Sequence, residues 1–106
     1  MIIEFGKSYL QELYEAGVCR NKKYRFQPQV VRKYIQCIDT LMTLKRVEGL
    51  YLLNSLNYEV LSGDKKGLSS IRVNNQYRIE FSISQQDGRK PVITVCTILE
   101  LSNHYK

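Results

Sequence analysis

The sequence predicts an α+β domain in which a short N-terminal strand and two helices pack on a mainly antiparallel β-sheet. Three observations carry that expectation. Apolar residues recur at helical spacing between Tyr9 and Met42, the apolar period drops to two after Tyr58, and clusters rich in Gly, Asn and Asp punctuate the second half. No linker, internal repeat or low-complexity stretch divides the 106 residues, so residues 1–106 read as one domain. A chain of 12.4 kDa buries roughly two-thirds of its unfolded surface, enough for one modest core without staples.

Each element follows from local chemistry. Residues 1 to 5 suit a short strand, and Ser8-x-x-Gln11 has the pattern of a capping box opening a helix that ends at Gly17, with Tyr9, Leu10, Leu13 and Tyr14 as its apolar stripe. After a polar, basic connection from Val18 to Gln27, Pro28 is placed to start a second helix of about 18 residues. Its buried face is predicted to be Val31, Tyr34, Ile35, Ile38, Leu41 and Met42. Leu50 to Leu56 carries no clear period. Tyr58 to Leu61, Leu68 to Val73, Gln76 to Ile83 and Pro91 to Leu101 read as strands, giving the order β-α-α-β-β-β-β.

The central hairpin sets which side chains share a face. For Ile71 and Val73 to lie on the core side with Tyr77, Ile79, Phe81 and Ile83, Val73 must pair with Tyr77 and Ile71 with Ile79, across a three-residue turn at Asn74, Asn75 and Gln76. The same register sets Arg72 opposite Arg78. Opposed cations repel, so either both are solvated or an anionic ligand or partner accounts for them.

Composition narrows the function classes. The 43% hydrophobic and 25% charged residues are those of a globular chain and argue against disorder. The longest mostly apolar stretch, Val92 to Leu99, is far short of the roughly 20 residues of a spanning helix, and the start lacks a signal-peptide pattern, so the expected compartment is the cytoplasm, with no membrane partner. Cys19, Cys37 and Cys96 lack metal spacing and read as free thiols, the last two as core residues. No metal or other cofactor is expected.

Sixteen Lys and Arg against ten Asp and Glu leave a charge of +6. Lys22, Lys23, Arg25, Arg32 and Lys33 fall in an acid-free segment, and Lys65, Lys66, Arg72, Arg78 and Lys106 form a second basic group. Phosphate is the natural partner of such a distribution. Tyrosines adjoin several of these cations; Tyr34 and Tyr77 fall on apolar faces, which leaves Tyr24 and Tyr105 as candidates for stacking on bases. Cleavage of RNA needs no metal, because the 2′-hydroxyl attacks the neighbouring phosphate when a base takes its proton, an acid protonates the leaving 5′-oxygen and cations stabilise the phosphorane. His104 has the ordinary pKa range for either proton-transfer role.

The stretch from Leu61 to Phe81, with its Leu61-Ser62-Gly63-Asp64 turn, Ser70-Ile71-Arg72-Val73-Asn74 and Tyr77-Arg78-Ile79, resembles the HigB-type toxins of the RelE/ParE superfamily. That resemblance implies a RelE-like fold over almost the whole chain. It also implies the toxin of a type II toxin-antitoxin module, a ribosome-dependent endoribonuclease that cuts mRNA in the ribosomal A site and is neutralised by a HigA-like helix-turn-helix antitoxin. Carried over by position, Arg78 matches the family arginine at the scissile phosphate, Arg72 falls where related toxins have a strand lysine, and Asn103-His104-Tyr105-Lys106 overlies the catalytic tail. The catalytic set so implied is Arg72, Arg78, His104, Tyr105 and Lys106, with Lys22, Lys23, Tyr24, Arg25, Arg32, Lys33, Lys65 and Lys66 facing RNA or ribosome. The sequence departs from the family in reading Glu59-Val60-Leu61-Ser62-Gly63 in place of His-Pro-Leu-Lys-Gly, and in the position of its tail histidine. The alternative readings are a ParE-like toxin that inhibits DNA gyrase without cutting, and a catalytically decayed RNA-binding member.

Overall fold

Proline at the first helical position, glycine just past a helix end and alternating strands organise the chain as the sequence predicts. The computed structural model describes residues 1–86 and 93–103. In chain order they form β1 (Ile2–Phe5), α1 (Ser8–Ala16), a 3-10 turn (Lys22–Tyr24), α2 (Pro28–Thr43), α3 (Gly49–Leu52), a second 3-10 turn (Asn54–Leu56), β2 (Glu59–Val60), a third (Gly63–Lys65), β3 (Ser69–Arg72), β4 (Arg78–Gln86) and β5 (Ile93–Ser102). The five strands lie in the order β1-β5-β4-β3-β2; β1 runs parallel to β5 and every other pair is antiparallel.

The helix ends obey backbone chemistry. Pro28 opens α2, where its missing N–H would have had no partner anyway. Gly17 closes α1 at φ 74°, its N–H donating to the Leu13 carbonyl at 3.0 Å, a conformation that a Cβ disfavours. The expected capping box does not form. Ser8 is already helical, Lys7 stands at the cap without a side-chain bond, and the Gln11 amide donates to Glu15 one turn on.

One apolar layer joins helices to sheet. Leu10 and Leu13 of α1, Tyr34, Ile38 and Leu41 of α2, and Ile71, Ile79, Phe81, Cys96 and Ile98 of the strands are all almost fully buried. Tyr34 lies in this core as predicted and satisfies its hydroxyl by donating to the Leu10 carbonyl at 2.8 Å. Met42, expected in the buried stripe, instead lies exposed at the last turn of α2, where its sulfur accepts from the Tyr14 hydroxyl. Leu50 and Leu56 explain the stretch without a period: each anchors one short helical turn in the core, while Tyr51 and Leu52 face outward. Beyond Glu80 a bulge in the β4–β5 ladder lets both ends of β5 keep their apolar side chains inward.

Phe81 lies at the centre of this layer with no exposed surface, so Phe81→Ala is expected to lower stability by about 3–5 kcal/mol in urea unfolding. Burial pushes the Cys37 thiol up to about 11, and the Cys96 thiol and Tyr9 phenol up to about 12. A raised native value means that these groups support folding fully below their ordinary values, about 8.5 for a thiol and about 10 for a phenol, and withdraw that support as pH rises toward the native ones. Urea midpoints are therefore expected to fall steadily above about pH 9.

Candidate functional site

Cross-strand partners share a face, so the observed register can be followed across the sheet. On the face turned away from α2, one row runs Glu59 (β2), Ser70 (β3), Glu80 (β4) and Glu100 (β5), and the next runs Arg72 (β3), Arg78 (β4) and Ser102 (β5). A band of carboxylates therefore lies beside a pair of arginines. The hairpin that sets this arrangement closes as expected: Ile71 pairs with Ile79, Arg72 with Arg78, and the Val73 N–H donates to the Tyr77 carbonyl at 3.0 Å.

The two guanidinium groups turn apart. Arg72, half-buried, donates to the Asn75 side chain in the turn, whereas Arg78 points toward β2. There its Nε donates to Ser70 Oγ at 2.9 Å, and its Nη2 donates to the Asn57 carbonyl and lies 4.0 Å from a Glu59 carboxylate oxygen. Asn57 reaches that position through a left-handed backbone, φ 47°, which an Asx residue tolerates. The repulsion anticipated between opposed cations is thus relieved within the chain by carbonyl, hydroxyl and carboxylate oxygens. Arg78 is only 7% exposed, so it is a structural tie as well as a cation.

The carboxylates differ in how they are held. Glu80 is buried and receives the Lys65 ammonium at 2.5 Å, from the turn that follows β2. Glu100 pairs with Lys7 at 2.8 Å and meets the Tyr9 hydroxyl, which also accepts from the Leu101 N–H. The hydrogen bond to Glu100 raises Lys7 above the ordinary lysine value. Glu59 is the exposed member, with 57% of its side-chain surface in solvent.

The remaining candidates occupy a different region. Lys22 and Lys23 are exposed on the 3-10 turn after α1, Arg25 follows them, and Arg32 and Lys33 project from the outer face of α2. Tyr24 stacks on Tyr9 with ring centroids 3.8 Å apart and planes within 3°, and the Lys23 ammonium lies 5.5 Å from its ring, so one aromatic face is already taken. Tyr77 meets Phe26 edge-on against the core, as its apolar position predicts. Lys66 is exposed, and Lys65 is committed to Glu80. His104, Tyr105 and Lys106 lie outside the described residues. Among the described residues, no group of three or more His, Cys, Asp and Glu is disposed to hold a metal ion, and no helix is long and apolar enough to cross a membrane.

Strand parity already set Glu80 on the polar face beside the arginines, but sequence reasoning missed Glu59, Ser70 and Asn57 as their neighbours. Ser70 was available from the same parity, two residues from Arg72. Glu59 and Asn57 were not, because they arrive on a two-residue edge strand and a left-handed turn that no apolar period marks.

No protein-family model matches the chain. It is 30% identical over 82 residues to the toxin HigB-1 of Vibrio cholerae serotype O1, covering 76% of this chain and 82% of that protein. A YoeB/ParE toxin from Agrobacterium tumefaciens superposes on 99% of this chain and 100% of its own, with a TM-score of 0.55 at 18% identity, so it shares the fold.

Arg78→Ala leaves the fully buried Ser70 and the Asn57 carbonyl without their guanidinium donor, and is expected to lower stability by about 1–3 kcal/mol. Urea unfolding beside Arg72→Ala, which breaks only a contact in an exposed turn, checks this: the Arg72 variant should lose less than about 1 kcal/mol.

Proposed function

Given that this chain belongs to the HigB toxins of the RelE/ParE superfamily, and so has an antitoxin as its partner, we propose that it is a ribosome-dependent, metal-independent endoribonuclease that cuts mRNA in the ribosomal A site. The observation that carries this reading is the cross-strand pair Arg72 and Arg78 on one sheet face. Two arginines at paired positions of one face, their guanidinium groups turned toward Asn75 and toward Ser70, suit the flanks of a phosphodiester passing to a dianionic phosphorane, since planar N–H donors bind phosphate oxygens in pairs and hold more strongly as negative charge develops.

The reaction is an in-line displacement within the RNA. The 2′-oxygen loses its proton and bonds to phosphorus, the bond from phosphorus to the 5′-oxygen breaks, and that oxygen takes a proton as it leaves. The products are a 2′,3′-cyclic phosphate and a 5′-hydroxyl. By resemblance, His104, Tyr105 and Lys106 supply proton transfer and stacking on a base. The exposed cations Lys22, Lys23, Arg25, Arg32, Lys33 and Lys66 suit the phosphates of ribosomal RNA, whose field steers a +6 protein to its target. Lys65 serves the sheet face of the arginines through its bond to Glu80, and Tyr24 serves the basic turn through the ring it offers beside Lys23. A HigA-like helix-turn-helix antitoxin is the proposed partner, and the translating cytoplasm the place of action.

Induced expression of the wild type, Arg72→Ala and Arg78→Lys tests the reading, with growth followed and mRNA 5′ ends mapped. The lysine keeps a charge at position 78 with less structural loss than alanine, but loses the planar fork. The wild type is expected to arrest growth with new in-frame cuts inside translated regions, and both variants to reduce the cuts by about 100-fold or more. Arrest without cuts overturns the nuclease reading in favour of a gyrase-type or other binding toxin, and no arrest points to a decayed member.

A further inference from the structure

Leu50, Tyr51, Leu53, Asn54, Asn57 and Tyr58 line a pocket of about 140 Å³ where α3 and the second 3-10 turn meet the start of β2. A cavity of roughly 150 Å³ holds one benzene ring, so this pocket admits a single planar ring. Tyr51 and Tyr58 stand with ring centroids 4.9 Å apart and planes at 84°. Rings set square to each other form a corner, which offers a planar guest one face to stack on and one edge to meet. Tyr58 is the fixed wall: its hydroxyl shares a hydrogen bond with Ser69 Oγ at 3.1 Å, and its ring stacks toward Phe81. Tyr51 is the open wall, with 62% of its surface in solvent.

Two asparagines add a polar side. The Asn57 N–H donates to the Asn54 carbonyl at 3.1 Å, so a single turn brings both residues to the pocket. Both are exposed, and among the described residues no hydrogen bond uses either side-chain amide. An amide sets a carbonyl acceptor beside N–H donors, the pattern that pairs with the edge of a nucleobase. The location selects the same guest. Asn57 lines the pocket while its carbonyl accepts from Arg78 Nη2, so pocket and guanidinium are one residue apart. The phosphate and base of a nucleotide are likewise joined through one ribose.

We propose that this pocket holds the base of the mRNA nucleotide adjoining the scissile phosphate, with Tyr51 as the stacking platform and Asn54 and Asn57 reading the edge of the base. The proposal rests on the nuclease reading above and deepens it. Arg72 and Arg78 meet a phosphate that every nucleotide carries, whereas base edges carry sequence. Stacking alone tolerates any base, because each has a π-face, so discrimination falls to the two amides. Seating the base beside a held phosphate also restricts rotation about the ribose, which keeps the 2′-hydroxyl in line for attack.

The test uses the full chain on ribosomes programmed with mRNAs that differ in one base at each position around the cut, measuring single-turnover cleavage. Tyr51 and Asn54 are exposed, so their variants are expected to keep the wild-type urea midpoint. The wild type is expected to favour one base beside the cut by about tenfold or more, the span of one good base contact. Tyr51→Ala is expected to slow cleavage at that base by about tenfold, the worth of one stacked ring, and to change the disfavoured bases little, since they do not seat. Tyr51→Phe, which keeps the ring, should retain both rate and preference. Asn54→Asp exchanges the amide donors for a second acceptor, and is expected to move the preference toward bases that present an amino group.

Equal slowing at all four bases by Tyr51→Ala marks a general contact, such as one with ribosomal RNA, and overturns the assignment. So does an Asn54→Asp preference within about threefold of the wild type at every position, or a wild type that cuts without regard to base. Each of these results leaves the nuclease reading intact. Absence of cleavage by the wild type on ribosomes overturns the nuclease reading and this assignment together.

Discussion

The three-residue turn between β3 and β4 fixes a register on which both the core and the candidate site depend. Asn74 builds the turn: its side-chain oxygen accepts the backbone N–H groups of Gln76 and Tyr77, each at 2.8 Å, while the Tyr77 carbonyl receives the N–H groups of Val73 and Asn74. Because side chains alternate along a strand, a slip of one residue would turn Ile71, Ile79 and Phe81 toward solvent and drive Arg72 and Arg78 toward the helices. Uncompensated burial of two guanidinium groups is prohibitive, so the same constraint that assembles the core delivers the arginines to the opposite face.

That face is polar yet not fully solvated, and its burial shapes its chemistry. Ser70, Arg78, Glu80 and Ser102 are all largely shielded, which strengthens each interaction among them and makes each missing partner expensive. Arg78 therefore has two duties. It ties Asn57 and β2 to β3 through Ser70, and it presents positive charge beside Arg72. A cation held this firmly is already oriented before an anion arrives, the electrostatic preorganisation that favours charge development in a transition state. Setting a row of carboxylates beside the pair of arginines also limits the self-repulsion that excess positive charge would otherwise concentrate here.

The helical layer supports this from behind and carries a separate basic surface. Tyr9 links the two: its ring stacks on Tyr24 of the basic turn, and its hydroxyl meets Leu101 and Glu100 of β5. The turn bearing Lys22 and Lys23 is thereby fastened to the same strand whose Glu100 and Ser102 complete the rows of the polar face.

Much of this was legible in the sequence because its signals are local. Period, Pro28, Gly17 and the Asn74–Asn75 turn sufficed for the element order, the pairing of Arg72 with Arg78 and the burial of Tyr34, Cys37 and Cys96; the Gly63-Asp64 turn with Tyr77-Arg78-Ile79 sufficed for the family. Other features required the tertiary structure. The exposure of Met42 depends on where α2 leaves the sheet, the bulge at Glu80 on matching two strands across the core, and the parallel seat of β1 beside β5 on a crossover of nearly the whole chain. Above all, the meeting of Glu59 and Asn57 with Arg78 spans about twenty residues and rests on one left-handed backbone position and a two-residue strand. Hydrophobic patterning records which side of an element faces the core; it holds no record of which polar groups from separate elements will share the other side, and only packing decides that.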